Sequence, residues 1–422
     1  MRFFLTSLCL LFFAFNALSQ TTDQKVKVFL DCTQEWLCDF DYVRTELKAV
    51  TFVRDRFASD VHVQVNTQNN SSGGRQAQVI FLGQNVYSGV TDTLSYFNPP
   101  ASTEDEQRRK LVQYLKIGLI RYLSKTNLAD HIEINIKGVE QLKDSASATK
   151  KDPWNYWVYQ FGGSASFNGN ANTKSNSFYG YINANQETEK WKINMSLSLD
   201  RSNQTFKQNN EELHFDQKNY NAGVSVARAI NEHWSYGLSS AYQNSLFRNI
   251  RTGIIIRPKL EYSLFPYKRF NNERIVFQYM VGPVYNNYYD TTIFFKTDEF
   301  QVQQSLNMIT SINKPWGNIN IGVFWSNYFD DLSKNNLSFN GAVNWKIAKG
   351  LNFGLYGYYG LIQDQITVRK GEATREQLLT NNRELLSSYE FNLGFGFSYR
   401  FGSVNNSIVN PRFKGLNYSV SF

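Results

Sequence analysis

Phe391-Asn-Leu-Gly-Phe-Gly-Phe-Ser-Tyr-Arg-Phe401 places an aromatic or leucine side chain at every odd position and a small or polar one at every even position. A period of two belongs to a β-strand with one apolar and one polar face. An α-helix, at about 100° per residue, would instead spread the six apolar side chains from Phe391 to Phe401 over roughly 240°. The same rhythm runs upstream through 157–161, 178–182, 193–199, 222–226, 236–242, 254–264, 275–281, 302–308, 319–325, 337–345 and 351–359. With 391–401 these segments predict twelve strands whose opposite faces carry Asn, Ser, Gln, Gly and Lys. Aromatics make up 16% of the 422 residues, yet the mean hydropathy is only −0.44. That excludes a bundle of membrane helices, each of which needs about 20 apolar residues.

A soluble sandwich also alternates, so three further features decide the reading. Connections at 187–190, 231–233, 267–273, 314–318 and 347–350 are short, while 201–213, 287–299, 330–336 and 366–386 are longer and polar. Short turns on one side and long loops on the other are the habit of outer-membrane barrels. Trp154, Trp157, Trp191, Trp234, Trp316 and Trp345 sit in or beside the short turns, as indoles at a headgroup girdle do. Tyr399, Phe401 and the final Phe422 resemble the C-terminal aromatic signal read by the barrel-insertion machinery. The expected fold is mainly β: an antiparallel transmembrane β-barrel of about twelve strands over 154–402, preceded by a small α/β domain. An even count favours twelve strands with 403–422 as a tail. Fourteen would need that tail as an extra strand and one more besides.

Residues 24–140 keep a different rhythm. A short strand at 25–31, a helix at 39–48, a hairpin from 60–66 and 76–82 around the turn cluster 69–74, and a long amphipathic helix at 104–124 are expected. Ile132, Ile134 and Ile136 predict another strand. Residues 141–153 are polar and read as a linker.

Residues 1–19 read as a secretory signal: Arg2, an apolar stretch from 3 to 15, then Ala17-Leu18-Ser19 before Gln20. The formal net charge is +8, but the basic residues are scattered or in short runs such as Arg108-Arg109-Lys110. Nucleic acid is therefore not an expected partner. Cys32 and Cys38 remain after export, either as a disulfide or as two buried thiols. No cofactor or metal site is expected. The expected location is the outer membrane, with 24–140 in the periplasm and lipid around the strands.

Several segments carry a family resemblance. Leu264-Phe-Pro-Tyr-Lys268, Trp345-Lys-Ile-Ala-Lys-Gly-Leu351, Tyr399-Arg-Phe-Gly-Ser403 and Val409-Asn-Pro-Arg-Phe413 resemble uncharacterised outer-membrane β-barrel proteins of Bacteroidota. These are grouped with a domain of unknown function found in salt-induced outer-membrane proteins. Val28-Phe-Leu-Asp-Cys32, Cys38-Asp-Phe-Asp-Tyr42, Arg54-Asp-Arg56, Asp60-Val-His-Val63 and Gly73-Gly74 resemble the soluble domain that precedes that barrel. The resemblance spans nearly all of the chain after the signal. It implies architecture and location, and no active site or ligand.

The chemistry on offer is thin. His214 and Asp216 share a strand face, with Ser202 in the neighbouring expected loop, and form the best hydrolase set. No nucleophile motif supports them, so the chain is read as non-enzymatic. Arg54-Asp55-Arg56 suits local ion pairs or an anion. Two readings stand ahead of the hydrolase. One is a passive channel or transport component with an accessory periplasmic domain. The other is a membrane anchor or assembly component whose residues 24–140 bind a partner protein.

Overall fold

Strands of period two assemble into two separate sheets. The computed structural model describes residues 25–32, 38–69, 74–134, 152–208, 211–270, 272–374, 377, 383–403, 407–410 and 412. The signal 1–19, residues 141–151 and Phe422 lie outside them. Described residues of the tail hold no strand.

The smaller sheet contains β1 (Lys27–Cys32), β2 (Thr51–Phe52), β3 (Val61–Asn69), β4 (Arg75–Gly83) and β5 (Thr91–Asn98) in the order β2-β1-β3-β4-β5. β1 pairs in parallel with β2 and β3, and the rest is antiparallel. Helix α1 (Phe40–Glu46) starts where the Asp39 carboxylate accepts from the Tyr42 amide. Helix α2 (Glu104–Leu123) starts at a reciprocal cap: Thr103 accepts from the Glu106 amide, and Glu106 accepts from the Thr103 amide. Leu111, Leu115, Leu119 and Tyr122 of α2 join Val28, Val61, Val63, Val79 and Phe81 in one buried cluster. The Tyr122 hydroxyl donates to the Val90 carbonyl at 2.9 Å.

Gly118 permits this close approach, because a Cβ there would stand 2.1 Å from the Phe81 ring. Gly118→Val is expected to cost about 2 kcal/mol through overpacking, and a second change, Phe81→Leu, to restore part of it. Urea unfolding of the full chain followed in this unit checks both. An unchanged midpoint for the single variant would refute the packing argument.

The expected strand over 132–136 does not form in its described part. Ala129–His131 make one 3-10 turn and 132–134 carry no strand, with Ile134 exposed. Alternation makes a strand only where a sheet edge receives it, and the edges here are β2 and β5. Ile136 lies outside the described residues. β5, which no pattern announced, takes the outer place beside β4.

The larger sheet has twelve antiparallel strands in sequence order. They are β6 (Trp157–Gly169), β7 (Thr173–Glu187), β8 (Trp191–Gln208), β9 (Glu211–Ala229), β10 (Trp234–Ser245) and β11 (Ile250–Ser263). Then come β12 (Glu273–Tyr288), β13 (Asp298–Lys314), β14 (Gly317–Tyr328), β15 (Asn335–Ala348), β16 (Leu351–Ile362) and β17 (Tyr389–Tyr399). Each expected segment holds one strand. β6 and β17 are the two edges and do not pair with each other, so the sheet is open.

The expected loop 201–213 is mostly strand, since β8 and β9 stay paired from Trp191↔Arg228 to Gln208↔Glu211. Cross-strand ion pairs, Arg201–Asp216 at 3.1 Å and Lys207–Glu212 at 2.5 Å, support this polar extension. Four of the five turns at one end are short, 188–190, 230–233, 315–316 and 349–350, while the fifth, 264–272, spans nine residues, as many as 289–297 at the other end. At the other end, 170–172 and 246–249 are also tight, and only 289–297, 329–334 and 363–388 are longer.

Candidate functional site

Strand β3 is buried on both faces. Val61, Val63 and Val65 point into the helical core, while His62, Gln64 and Asn66 occupy the opposite face and are no more than 4% exposed. Among the described residues no helix covers that face; the short-turn end of the large sheet bonds to it. The Asn66 amide donates to the Asn272 side-chain oxygen at 2.9 Å, and the Lys346 ammonium pairs with Asp31. Arg56 donates to the Pro315 carbonyl at 2.6 Å and to the Lys346 carbonyl at 3.2 Å. Lys349 lies 3.8 Å from Asp55. The Phe52 amide donates to the Ser407 hydroxyl at 2.8 Å. The seam thus engages three turns, β11–β12, β13–β14 and β15–β16.

At its centre, the Asp31 carboxylate meets His62 Nε2 at 3.2 Å, and Lys346 lies 5.4 Å over the Phe29 ring. Phe29 in turn packs edge-on to His62. Burial works to raise the Asp31 pKa, but the His62 hydrogen bond and the Lys346 charge outweigh it, and the carboxyl sits below its ordinary value of 3.8. A depressed carboxylate stabilises above its unfolded pKa and loses that contribution as pH falls through the folded one. The Asp31 contribution to docking is therefore expected to be full above pH 3.8 and to vanish only below it. A pH titration of Asp31 by carboxyl NMR checks the direction; a midpoint above 3.8 would refute it.

Cys32 and Cys38 are joined as a disulfide, with Cα atoms 6.4 Å apart. It ties the end of β1, one residue past Asp31, to the segment that enters α1. Asp55 accepts from the Phe57 amide at 3.1 Å, so the Arg54-Asp55-Arg56 segment makes a local turn contact as well as reaching the turns.

The large sheet is reversed relative to a soluble one. On β13, Gln301, Gln303, Ser305 and Asn307 are buried, each under 10% exposed, while Phe300 and Leu306 on the opposite face are 68% and 47% exposed. The apolar face is exposed across the sheet, from Phe161 and Leu197 to Leu355, Phe395 and Phe397. On the polar face, Arg257 donates to the Gln303 side-chain oxygen at 2.7 Å and Lys259 donates to the Ser225 hydroxyl at 2.6 Å. A cavity of about 210 Å³ lies beside Arg257, Gln303, Ser305 and Asn307. A second, of about 400 Å³, lies nearer the turn end beside Arg274, Ser311 and Asn320.

The loop end is knitted together. The Asn249 amide donates to the Asp290 carbonyl at 2.8 Å and to the Thr367 carbonyl at 3.0 Å. The Ile293 amide donates to the Val368 carbonyl, and Ile366 and Val368 are buried. The β16–β17 loop therefore bonds to the β10–β11 turn, six strands away in sheet order.

The tryptophans occupy one end. Trp191 and Trp234 open β8 and β10, Trp157 opens β6, Trp154 precedes it, Trp316 lies in the β13–β14 turn, and Trp345 pairs with Gly317. Trp154, Trp191, Trp234, Trp316 and Trp345 are exposed. Tyr399 ends β17, and Phe401 follows it, also exposed. The hydrolase set does not assemble. His214 contacts Thr205 at 3.1 Å and Glu212 at 3.7 Å. Asp216 is held by Arg201 and Lys218. Ser202 faces Ser177 on the other side of the sheet, because Thr205, not Ser202, is registered with His214. Sequence reasoning did not find the Asp31–Lys346 seam or the Arg257 cluster; the only signal for the latter was cationic residues on polar faces. No family model matches the chain, and none of the curated proteins matches it.

Proposed function

We propose that the chain is an outer-membrane β-barrel, a passive channel for small polar solutes whose N-terminal α/β unit docks at the periplasmic mouth. The observation that carries this reading is the reversed burial of β13, with amides inside and Phe300 and Leu306 outside. Water on both faces would penalise such an arrangement, whereas lipid outside and a hydrated lumen inside favour it. Pairing of β6 with β17 belongs to the proposal. It would remove two long exposed edges, and bonds between loops six strands apart suit a curled sheet better than a flat one. In a flat sheet the β10 and β16 ends would stand about 29 Å apart at ~4.8 Å per strand. The Trp ring at the turn end fits a headgroup girdle, and the family resemblance points the same way.

Docking favours the channel over the anchor reading. The face of the small sheet bearing His62, Gln64 and Asn66 is already occupied by the chain's own turns, which leaves it closed to a partner. The reading includes no catalysis. The test has two parts. A folded barrel should migrate faster in detergent gels before boiling than after. The same protein in planar bilayers should conduct, more so without residues 24–140. A heat-modifiable protein that never conducts, with or without that unit, would overturn the channel and leave the anchor.

A further inference from the structure

The polar face holds cations without matching carboxylates. Arg257, Lys259 and Arg274 form no ion pair among the described residues. On β12 the span from Arg274 to Gly282, beside Arg257, is about 27 Å at ~3.4 Å per residue. Nearby Glu261 is already bonded by the Tyr267 hydroxyl at 3.0 Å and the Gln278 amide at 2.7 Å. At the upper end of this track is the cavity of about 210 Å³, room for about seven waters at ~30 Å³ each. Two polar groups face it unsatisfied: Arg257 Nε and Ser305 Oγ have no hydrogen-bond partner, and Ser305 is only 4% exposed. Asn307, 9% exposed, adds an amide, while Met280 and Phe324 supply an apolar wall.

We propose that this cavity binds a short-chain carboxylate. The carboxylate lies on the Arg257 guanidinium and the Ser305 hydroxyl, and the alkyl chain lies against Met280 and Phe324. The proposal rests on the reading of the polar face as a lumen. Gln303 accepts from Nη2 of Arg257 and fixes the guanidinium plane, leaving Nε as the unpartnered donor for one carboxylate oxygen while the Ser305 hydroxyl donates to the other. A lone ammonium such as Lys259 offers no such geometry. Buried donors left unpaired are costly, and a carboxylate satisfies both at once. Lys259 and Arg274 make the approach from the turn end attractive to anions and repulsive to cations.

The test is calorimetric titration of the full folded chain in detergent micelles with butyrate, and with n-butylamine as a cation of the same size. Butyrate is expected to bind saturably at one site and butylamine not at all. Arg257→Gln should weaken butyrate by about tenfold or more, and Ser305→Ala by a few fold. Arg257→Lys keeps the charge but not the planar guanidinium with its Nε donor, and covers the case in which the Gln variant does not fold; it too should weaken binding. Absence of saturable butyrate binding, or an affinity in the Arg257→Lys and Ser305→Ala proteins unchanged from that of the unsubstituted chain, overturns the proposal. The two readings fail separately. Butyrate binding without conductance in bilayers would remove the channel and keep the site. Conductance without butyrate binding would do the reverse.

Discussion

Leu197→Arg is expected to destabilise the protein in lipid vesicles by about 2–4 kcal/mol, while Ser196→Arg changes stability by less than about 1 kcal/mol. The two residues are neighbours on β8 and are both exposed. They differ in face. Leu197 is registered with Ala222 and Ile182 on the apolar side, and Ser196 with Gly223 and Asn183 on the polar side. Depth is set by the girdle. Leu197 lies six positions beyond Trp191, about 20 Å along the strand and roughly 15 Å along the membrane normal at a tilt near 40°. That is close to the centre of a hydrocarbon layer about 30 Å thick. Under the membrane reading an arginine there meets lipid, whereas one at position 196 meets the hydrated lumen. In a water-soluble sheet both sites are solvated and both substitutions are near neutral. Urea titration of the folded protein in vesicles separates the cases, and a neutral Leu197→Arg would sink the membrane reading.

Period-two alternation made all twelve strands of the large sheet legible, because one face is apolar and exposed and the other polar along most of each strand. The same logic explains what was missed. Beyond Arg201 the β8–β9 hairpin carries polar residues on both faces, so alternation disappears while pairing continues through ion pairs. β5 reads Thr91-Asp-Thr-Leu-Ser-Tyr-Phe-Asn98, in which only Leu94 and Tyr96 are apolar on the inward face and Asp92 and Asn98 share that face, and its place is fixed by α2 and β4. The isoleucines after α2 were patterned without a partner. The seam was not legible at all. Asp31 and Lys346, or Asn66 and Asn272, are distant in sequence and individually ordinary. His62 is completely buried on β3. What gives it meaning is the carboxylate beside it and the lysine that comes from the other sheet.

Lys346→Met is expected to release the α/β unit from the turns without unfolding it. The core of that unit consists of its own strands and helices, so its melting should barely change. Docking should weaken by about 3 kcal/mol, because the substitution leaves Asp31 buried with one partner removed. The cost follows from burial: the Asp31 and Lys346 side chains are 18% and 25% exposed, too little for water to replace the lost charge. Arg56 keeps its bond to the Lys346 carbonyl, which the substitution retains. A reporter thiol at Gln64, 4% exposed on the docked face, reads the change directly. Maleimide labelling of Gln64→Cys should quicken by about a hundredfold in the Lys346→Met background, as ~1.4 kcal/mol is tenfold. Asp31→Asn provides the control. If the ion pair holds the seam, the double variant should label no faster than the worse single one, with a coupling energy of 1 kcal/mol or more, estimated as about the usual value for contacting groups. Strictly additive effects would instead assign docking to the Arg56 and Asn66 contacts. Under the channel reading, the released unit should also raise conductance toward that of the chain lacking 24–140, which links a single ammonium at one turn to the opening of the mouth.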